Sequence, residues 1–360
     1  ALYLAIGPFF AIPRTATTAF SVGIEPMLPA GSHAIWLFGF TLAYFALAYL
    51  IALNPSKVLD TIGRYLTPIF ALLIIVLVVL GAAKYGSTAP QGATAEYAAS
   101  AFGAGFLQGY NTLDALASVA FSVVAVTTLN QLGFKNKKEY ISTIWVVGIL
   151  VALGFSVLYI GLAFLGNHFP LNLANLPKGA NVGASVLSSA TQAIFGPMAQ
   201  IFLAIMVTVT CFTTTAGLIV STGEFFHNTF PKVSYKVYAT IFTLVGFAIA
   251  NLGLNAIIQY SVPVLEILYP ITITIVMIVM VNRFLPLSKP GMQLTIAVVT
   301  LIAFASILGR QFKPTAILNL VNALPFAQAS LPWLLPALVG ILLSLLLPNK
   351  QKTEAFEFEA

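Results

Sequence analysis

Charge is what this chain has least of. Its 360 residues include 16 Lys and Arg and 10 Asp and Glu, so only 7% of positions are charged, where a soluble domain carries roughly 25%. So few charges cannot solvate a globule of this size, which excludes a soluble protein. The excess of +6 is scattered singly rather than gathered into the basic patch of a nucleic-acid binder, so nucleic acid is excluded as a partner. Cys211, the one cysteine, lies in an apolar run, and neither a disulfide framework nor a CxxC metal or redox site can be built from it. His33, His168 and His227 are isolated at the ends of apolar stretches, so the HExxH of an intramembrane metalloprotease is missing. Missing too are the Asp-rich pairs of a membrane prenyltransferase, the mid-span lysine of a retinal protein and a P-loop. The chain is therefore read as neither an enzyme nor a primary pump. Secondary transporter, channel and non-catalytic membrane subunit remain.

What the chain has is apolar length: 59% of residues are hydrophobic and the mean hydropathy is +0.97. A helix crossing a bilayer needs about 20 mostly apolar residues. Ten such stretches are predicted, at 1–27, 34–53, 65–83, 98–128, 140–166, 198–226, 235–256, 262–282, 292–309 and 331–348. The connection 167–191 alternates apolar and small polar residues and is expected to form a lid or interfacial hairpin. The acidic tail after Lys352 is expected to be disordered. The chain opens on Ala1 and runs into ALYLAIGPFF without a basic n-region, which reads as an interior start rather than a signal peptide.

Lys and Arg are retained on the cytoplasmic side of a membrane. One set of alternate connections, with the tail, holds Lys57, Arg64, Lys135, Lys137, Lys138, Lys232, Lys236, Arg283, Lys289, Lys350 and Lys352; the other holds only Lys84, Lys178, Arg310 and Lys313. The richer side is read as cytoplasmic. That puts both visible termini inside and the 167–191 lid outside.

Two segments resemble each other across the chain. Val58-Leu59-Asp60-Thr61-Ile62 with Leu66-Thr67-Pro68-Ile69 precedes the third stretch, and Val264 to Ile271 opens the eighth. Thr-rich helices likewise end at Glu25 and Glu224. Both pairs are five spans apart, an odd number, so the copies run in opposite directions, as in five-plus-five inverted-repeat transporters. On this reading 1–84 is the remainder of a first repeat, short by two helices, and 98–283 is the second. Residues 292–348 form two peripheral helices, and 349–360 a tail.

Ionisable residues inside spans are costly and mark function by default. Arg14 and Asp114 are the only two charges at mid-membrane depth, and they are expected to be neutralised by each other or by a small polar network, either as a fixed ion pair or as coupling charges. The stretch around Asp114, AFGAGFLQGYNTLDALASVAF, holds Gly103, Gly105 and Gly109 before Tyr110-Asn111-Thr112. Its Asn111-x-x-Asp114 resembles a capping box at a helix start. The pattern predicts a helix broken within the membrane, whose half-helix N-terminus would offer N–H groups to a carboxylate; a kinked helix with glycines for close packing is the alternative.

Thr208, Thr210, Thr213, Thr214 and Thr215 cluster on 198–226. Residues 210, 213 and 214 share one helical face and suit a weakly held Na⁺, although such hydroxyls also bond back to their own helix. Thr215 points about 100° further round and is expected to tolerate valine.

GPFFAIPRTATTAFSVGIEP (Gly7 to Pro26) closely resembles the signature of bacterial branched-chain amino acid:cation symporters. So do NPSKVLDTIGRYLTPIF, GFLQGYNTLDALAS, CFTTTAGL, EFF (Glu224 to Phe226), NLGLNAIIQYSVPVLEILYP and the Leu-Pro-Trp before the last stretch. The resemblance implies an all-α carrier of the leucine-transporter type, twelve helices of which ten are visible here, in a bacterial inner membrane. It implies cotransport of Leu, Ile or Val with Na⁺ and no other cofactor. Phe106, Gly109, Tyr110, Asn111 and Thr112 would face the substrate, and Thr210, Thr213 and Thr214 the sodium ion. The Gly-Ala-Gly-Asn-like break that opens such carriers is not in this sequence, so the chain by itself is expected to be unable to transport. A scaffold or sensor subunit of the same fold, or a carrier for another neutral amino acid or coupled to H⁺, is the competing reading.

Overall fold

The computed structural model describes residues 2–29, 33–53, 57–131, 133–134, 136–172, 176, 179–312, 314–348 and 350–351. Lys135, Lys178, Lys313, Lys352, part of the expected lid and the acidic tail lie outside the described residues. The chain is helical almost throughout. In order, the α-helices are α1 (Leu2–Leu4), α2 (Ala11–Ala19), α3 (His33–Leu53), α4 (Lys57–Tyr85), α5 (Ala95–Ala99), α6 (Ala101–Tyr110) and α7 (Asp114–Gln131). Then come α8 (Lys137–His168), α9 (Val182–Phe195), α10 (Ala199–Thr229), α11 (Tyr235–Ala250), α12 (Leu254–Phe284), α13 (Lys289–Phe312), α14 (Thr315–Asn322) and α15 (Leu334–Ser344). A two-residue antiparallel ladder pairs Leu287–Ser288 with Lys350–Gln351.

Among the described residues six helical segments are long and apolar enough to cross a bilayer: His33–Leu53, Pro68–Tyr85, Lys138–His168, Ala199–Thr229, Leu254–Phe284 and Lys289–Phe312. Their outward faces carry many large apolar side chains. Ile160 is 70% exposed and Leu301 69%, and such a surface is stable only against lipid.

Two predicted stretches are segmented rather than single α-helices. The first is interrupted at Gly7-Pro8, where Gly7 leaves helical geometry (φ −90°, ψ −122°); proline has no N–H and its ring displaces the carbonyl one turn back. It widens again into a π-helical turn at Phe20–Ile24. The stretch 98–128 divides into α6 and α7. Of the last stretches, 235–256 closes at Ala250, 262–282 starts early at Leu254, and 331–348 narrows to Leu334–Ser344.

The chain forms two compact units, residues 1–92 with 138–259, and 93–137 with 260–360. In the first unit α10 is the central helix, with α2, α3, α4, α9 and α11 around it. Small residues set its approach to the first stretch: a Cβ on Gly23 would lie 2.9 Å from the Ala204 Cα, close packing of the kind that holds membrane helices together. The C-terminal carbonyls of Val22 and Gly23 cannot be satisfied within their own helix. The buried Gln200 amide donates to both at 2.9 Å, and its oxygen accepts from Ser188 at 2.7 Å.

Connections gather at the two ends of this unit. At one end the Tyr235 hydroxyl donates to the Ala52 carbonyl at 2.6 Å. At the other, Asn181 donates to Asn255 at 2.7 Å and Thr88 to the His168 carbonyl at 2.6 Å. Glu25, His33, Asn181 and Asn255 line one small cavity there. The length of α3, with His33 at one end and Ala52 at the other, keeps the two groups apart.

In the second unit α13 and α15 meet through small residues. A Cβ on Gly291 would lie 2.8 Å from the Ser344 Cα, and one on Gly340 would strike the Thr295 side chain. Val299, Leu331, Trp333 and Ala337 form the adjoining apolar cluster, on which Phe106 packs.

Candidate functional site

Three residues, Asn111, Thr112 and Leu113, separate α6 from α7. Asn111 closes α6 with φ −69° and ψ −15°, and its amide donates to the Gln108 oxygen at 3.2 Å. It is therefore the end of one half-helix, not the N-cap of the next. Thr112 does the bridging: its hydroxyl donates to the Gly109 carbonyl at 2.8 Å and faces the Asp114 N–H at 3.4 Å. Leu113 takes a left-handed conformation, φ 65°, which costs a β-carbon-bearing residue about 1–2 kcal/mol. The turn between α11 and α12 has the same form, but there Gly253 occupies the left-handed position at φ 85°. The strain at Leu113 is held by burial, since the side chain is 6% exposed. Asp114 starts α7, where a carboxylate complements the helix dipole.

Of the three glycines before the break, Gly103 alone has a packing reason, because a Cβ there would lie 2.7 Å from the Ala329 backbone; beside Gly105 and Gly109 there is open space. Tyr110 is buried, stacked on Tyr269 of α12 with ring centres 4.2 Å apart, and Phe106 meets it edge-on at 5.4 Å. Tyr110 and Asn111 border a cavity of about 530 Å³ inside the second unit, together with Ser100, Leu107, Gln108, Leu265, Glu266 and Arg310. Phe106, Gly109 and Thr112 are not on its wall. Glu266 and Arg310 form an ion pair at 2.8 Å. Neither was singled out in the sequence. Arg310 sits in the last turn of α13, but Glu266 stands well inside the apolar span Leu254–Phe284. The expectation that Arg14 and Asp114 are the only charges at that depth is corrected, because the span begins earlier than the sequence pattern placed it.

The threonines of α10 divide between two environments. Thr213 and Thr214 both donate to the Thr210 carbonyl, at 2.9 and 3.1 Å, each keeping its oxygen lone pairs. The Thr210 hydroxyl is buried and has no hydrogen-bond partner among the described residues. Thr215 is fully buried. Its hydroxyl donates to the Cys211 carbonyl at 3.0 Å, lies 2.8 Å from the Tyr44 hydroxyl and touches the Thr15 hydroxyl. The expectation that valine is tolerated there is corrected: the side of α10 that points away from Thr213 is packed against α2 and α3, not free. Arg14 lies on α2 of the first unit and Asp114 on α7 of the second.

Apolar helices of membrane-spanning length, a lipid-facing surface and an internally broken helix beside a polar cavity define a multi-pass membrane protein of transporter character. Residues 1–351 match the family described as branched-chain amino acid transport protein. A protein of Staphylococcus haemolyticus, whose name proposes a branched-chain amino acid carrier, is 38% identical over 349 residues, 95% of this chain and 77% of its own length. Similarly named proteins of Staphylococcus aureus and Staphylococcus saprophyticus are 36% identical, with 99% of this chain and 81% of theirs covered. The chain belongs to this branched-chain amino acid transport family. No solved structure matches it.

Proposed function

We propose that this protein belongs to a secondary carrier that takes up Leu, Ile or Val by cotransport with Na⁺ across a bacterial cell membrane. The observation that carries the reading is the interruption at Asn111–Leu113, held in a strained turn beside the polar cavity, within a chain of this family. The N–H groups of Thr112 and Leu113 are held only by long bonds of 3.3 Å to Gly109 and Tyr110, and could be redirected to a carboxylate with little loss of helix. Tyr110 and Asn111, on the cavity wall, would hold the substrate, with Phe106, Gly109 and Thr112 shaping its surroundings. Thr210, Thr213 and Thr214 would contribute hydroxyl oxygens to Na⁺, a role supported by the unpartnered Thr210 hydroxyl. Arg14 and Asp114 would be the charges that respond to loading, and the helices would derive from the two inverted repeats.

The deciding experiment is uptake of labelled leucine, isoleucine and valine into liposomes containing the intact protein, driven in turn by an inward Na⁺ gradient and an inward H⁺ gradient. Saturable uptake with the Na⁺ gradient is expected. Uptake driven by H⁺ alone would remove the sodium assignment, and binding without uptake would favour a sensor.

A further inference from the structure

The cavity in the second unit is lined by one guanidinium, Arg310, and two carboxylates, Glu96 and Glu266, of which Glu266 is the one paired with Arg310. Glu266 on α12 and Arg310 on α13 touch through a single contact, Nη1 to Oε1 at 2.8 Å. A guanidinium carries five N–H donors in a planar fork and a carboxylate has two oxygens. The contact uses one nitrogen and one oxygen; the second oxygen of Glu266 and the rest of the Arg310 fork have no other hydrogen bond among the described residues. Leu107, Val262 and Leu265 form an apolar wall beside the pair, and Gln108 adds an amide. At about 530 Å³ the space is within the range of small-molecule sites, roughly 300–1,000 Å³.

We propose that Glu266 and Arg310 form a head-group clamp for a zwitterionic α-amino acid in this cavity, with the branched side chain against Leu107, Val262 and Leu265. A one-pronged ion pair, with Glu266 largely buried and the Arg310 fork half exposed, matches a molecule that carries both charges on groups attached to one carbon. The free edge of the guanidinium takes the α-carboxylate in the forked geometry it favours, and the second oxygen of Glu266 takes the α-ammonium. Neither charge of the pair is left uncompensated when the ligand enters or leaves, because each retains the other. A ligand with one of the two groups forfeits one charge-assisted hydrogen bond, equivalent to about tenfold to a hundredfold in affinity. The clamp rests on the reading of the chain as an amino-acid carrier, and it adds residues of α12 and α13 to the substrate contacts of α6.

The test is competition for labelled leucine on the intact protein in saturating NaCl, with leucine, leucinamide (no carboxylate) and 4-methylpentanoate (no ammonium) as competitors. The wild type is expected to prefer leucine to either analogue by at least about tenfold. Arg310→Gln should lose the preference over leucinamide, Glu266→Gln the preference over 4-methylpentanoate, and Arg310→Lys should retain part of it. The double variant Glu266→Gln with Arg310→Gln leaves no unpaired buried charge to unfold the protein, and should lose both preferences. Variants that weaken all three ligands by one factor, or none of them, would show an ion pair that only joins α12 to α13 and would overturn the clamp. Leucine uptake by the wild type together with unchanged head-group selectivity in the variants defeats the clamp alone; no binding or uptake of any amino acid by the wild type defeats the carrier reading with it.

Discussion

The hydroxyl of Tyr44 on α3 lies 2.8 Å from that of Thr215 on α10, a contact between residues 171 positions apart. Thr215 donates its own proton to the Cys211 carbonyl and Thr15 on α2 donates its proton to the Ile12 carbonyl, so Thr215 accepts from Tyr44 while the Thr15 hydroxyl lies against it. One hydroxyl thus joins three helices. Tyr44→Phe should cost about 0.6–1 kcal/mol, the range for a single interhelical hydrogen bond in membrane proteins. Thr215→Val should cost more, about 1–3 kcal/mol, because it strands the Tyr44 hydroxyl in an apolar interior. The double variant should be less damaged than the sum, measured by thermal unfolding in detergent; additive losses would show that the two do not interact.

Gln200 stabilises the end of the first stretch from a distance of more than 170 residues in sequence. Gln200→Leu keeps the approximate volume but removes the amide from the Val22 and Gly23 carbonyls and the acceptor from the Ser188 hydroxyl, which retains only the Gln192 amide. A loss of about 1–3 kcal/mol is expected, with earlier proteolysis between Val22 and His33 than elsewhere. An unfolding curve that matches the wild type would mean that water replaces the amide.

Gly291 faces Ser344 with no room for a methyl group, the Cα of Ser344 being 2.8 Å from where a Cβ would sit. Backbone cannot give way as a flexible side-chain tip can. Gly291→Ala should therefore destabilise by about 1–3 kcal/mol, and Gly105→Ala, beside open space, should not. Equal melting temperatures for the two would contradict this packing.

The sodium assignment predicts that Thr213→Val and Thr214→Val raise the Na⁺ concentration for half-maximal leucine uptake, with the order of preference among amino acids unchanged. Ser156→Ala is the control, because Ser156 on α8 back-bonds to the Ala152 carbonyl in the same way but belongs to no proposed site. An unaltered Na⁺ dependence in both threonine variants would eliminate them as ligands.

For topology, reporter fusions after Lys137 and Lys232 should be cytoplasmic, and those after Lys178 and Lys313 external. The Tyr235–Ala52 contact places the starts of α11 and α4 at one end of their unit, as the charge distribution requires. External reporters after both Lys137 and Lys232 would reverse the orientation.

Membrane residence, the helical class and the family were legible in the sequence, because each depends on something a linear pattern records. Some 20 apolar residues in a row can satisfy their backbone only as a helix in lipid, whatever surrounds them. The interruption after Tyr110 was legible for a related reason: glycines and an Asn-Thr pair are poor helix formers irrespective of tertiary contacts. Its register was not, since Asn111 ends one half-helix only by bonding back to Gln108 while burial holds Leu113 in a left-handed turn. Nor could sequence separate Thr215 from Thr213 and Thr214. All three hydroxyls bond back to their own helix; the difference is that Tyr44 and Thr15 approach one of them. The pairing of Glu266 with Arg310 was likewise decided by folding. Arg310 is a lone charge at the edge of one apolar stretch and Glu266 a lone charge within another, and only the packing of α12 beside α13 brings a carboxylate and a guanidinium within 2.8 Å of each other. Periodicity and composition determine which residues a helix turns toward lipid, but the partner across an interface is set by three-dimensional approach.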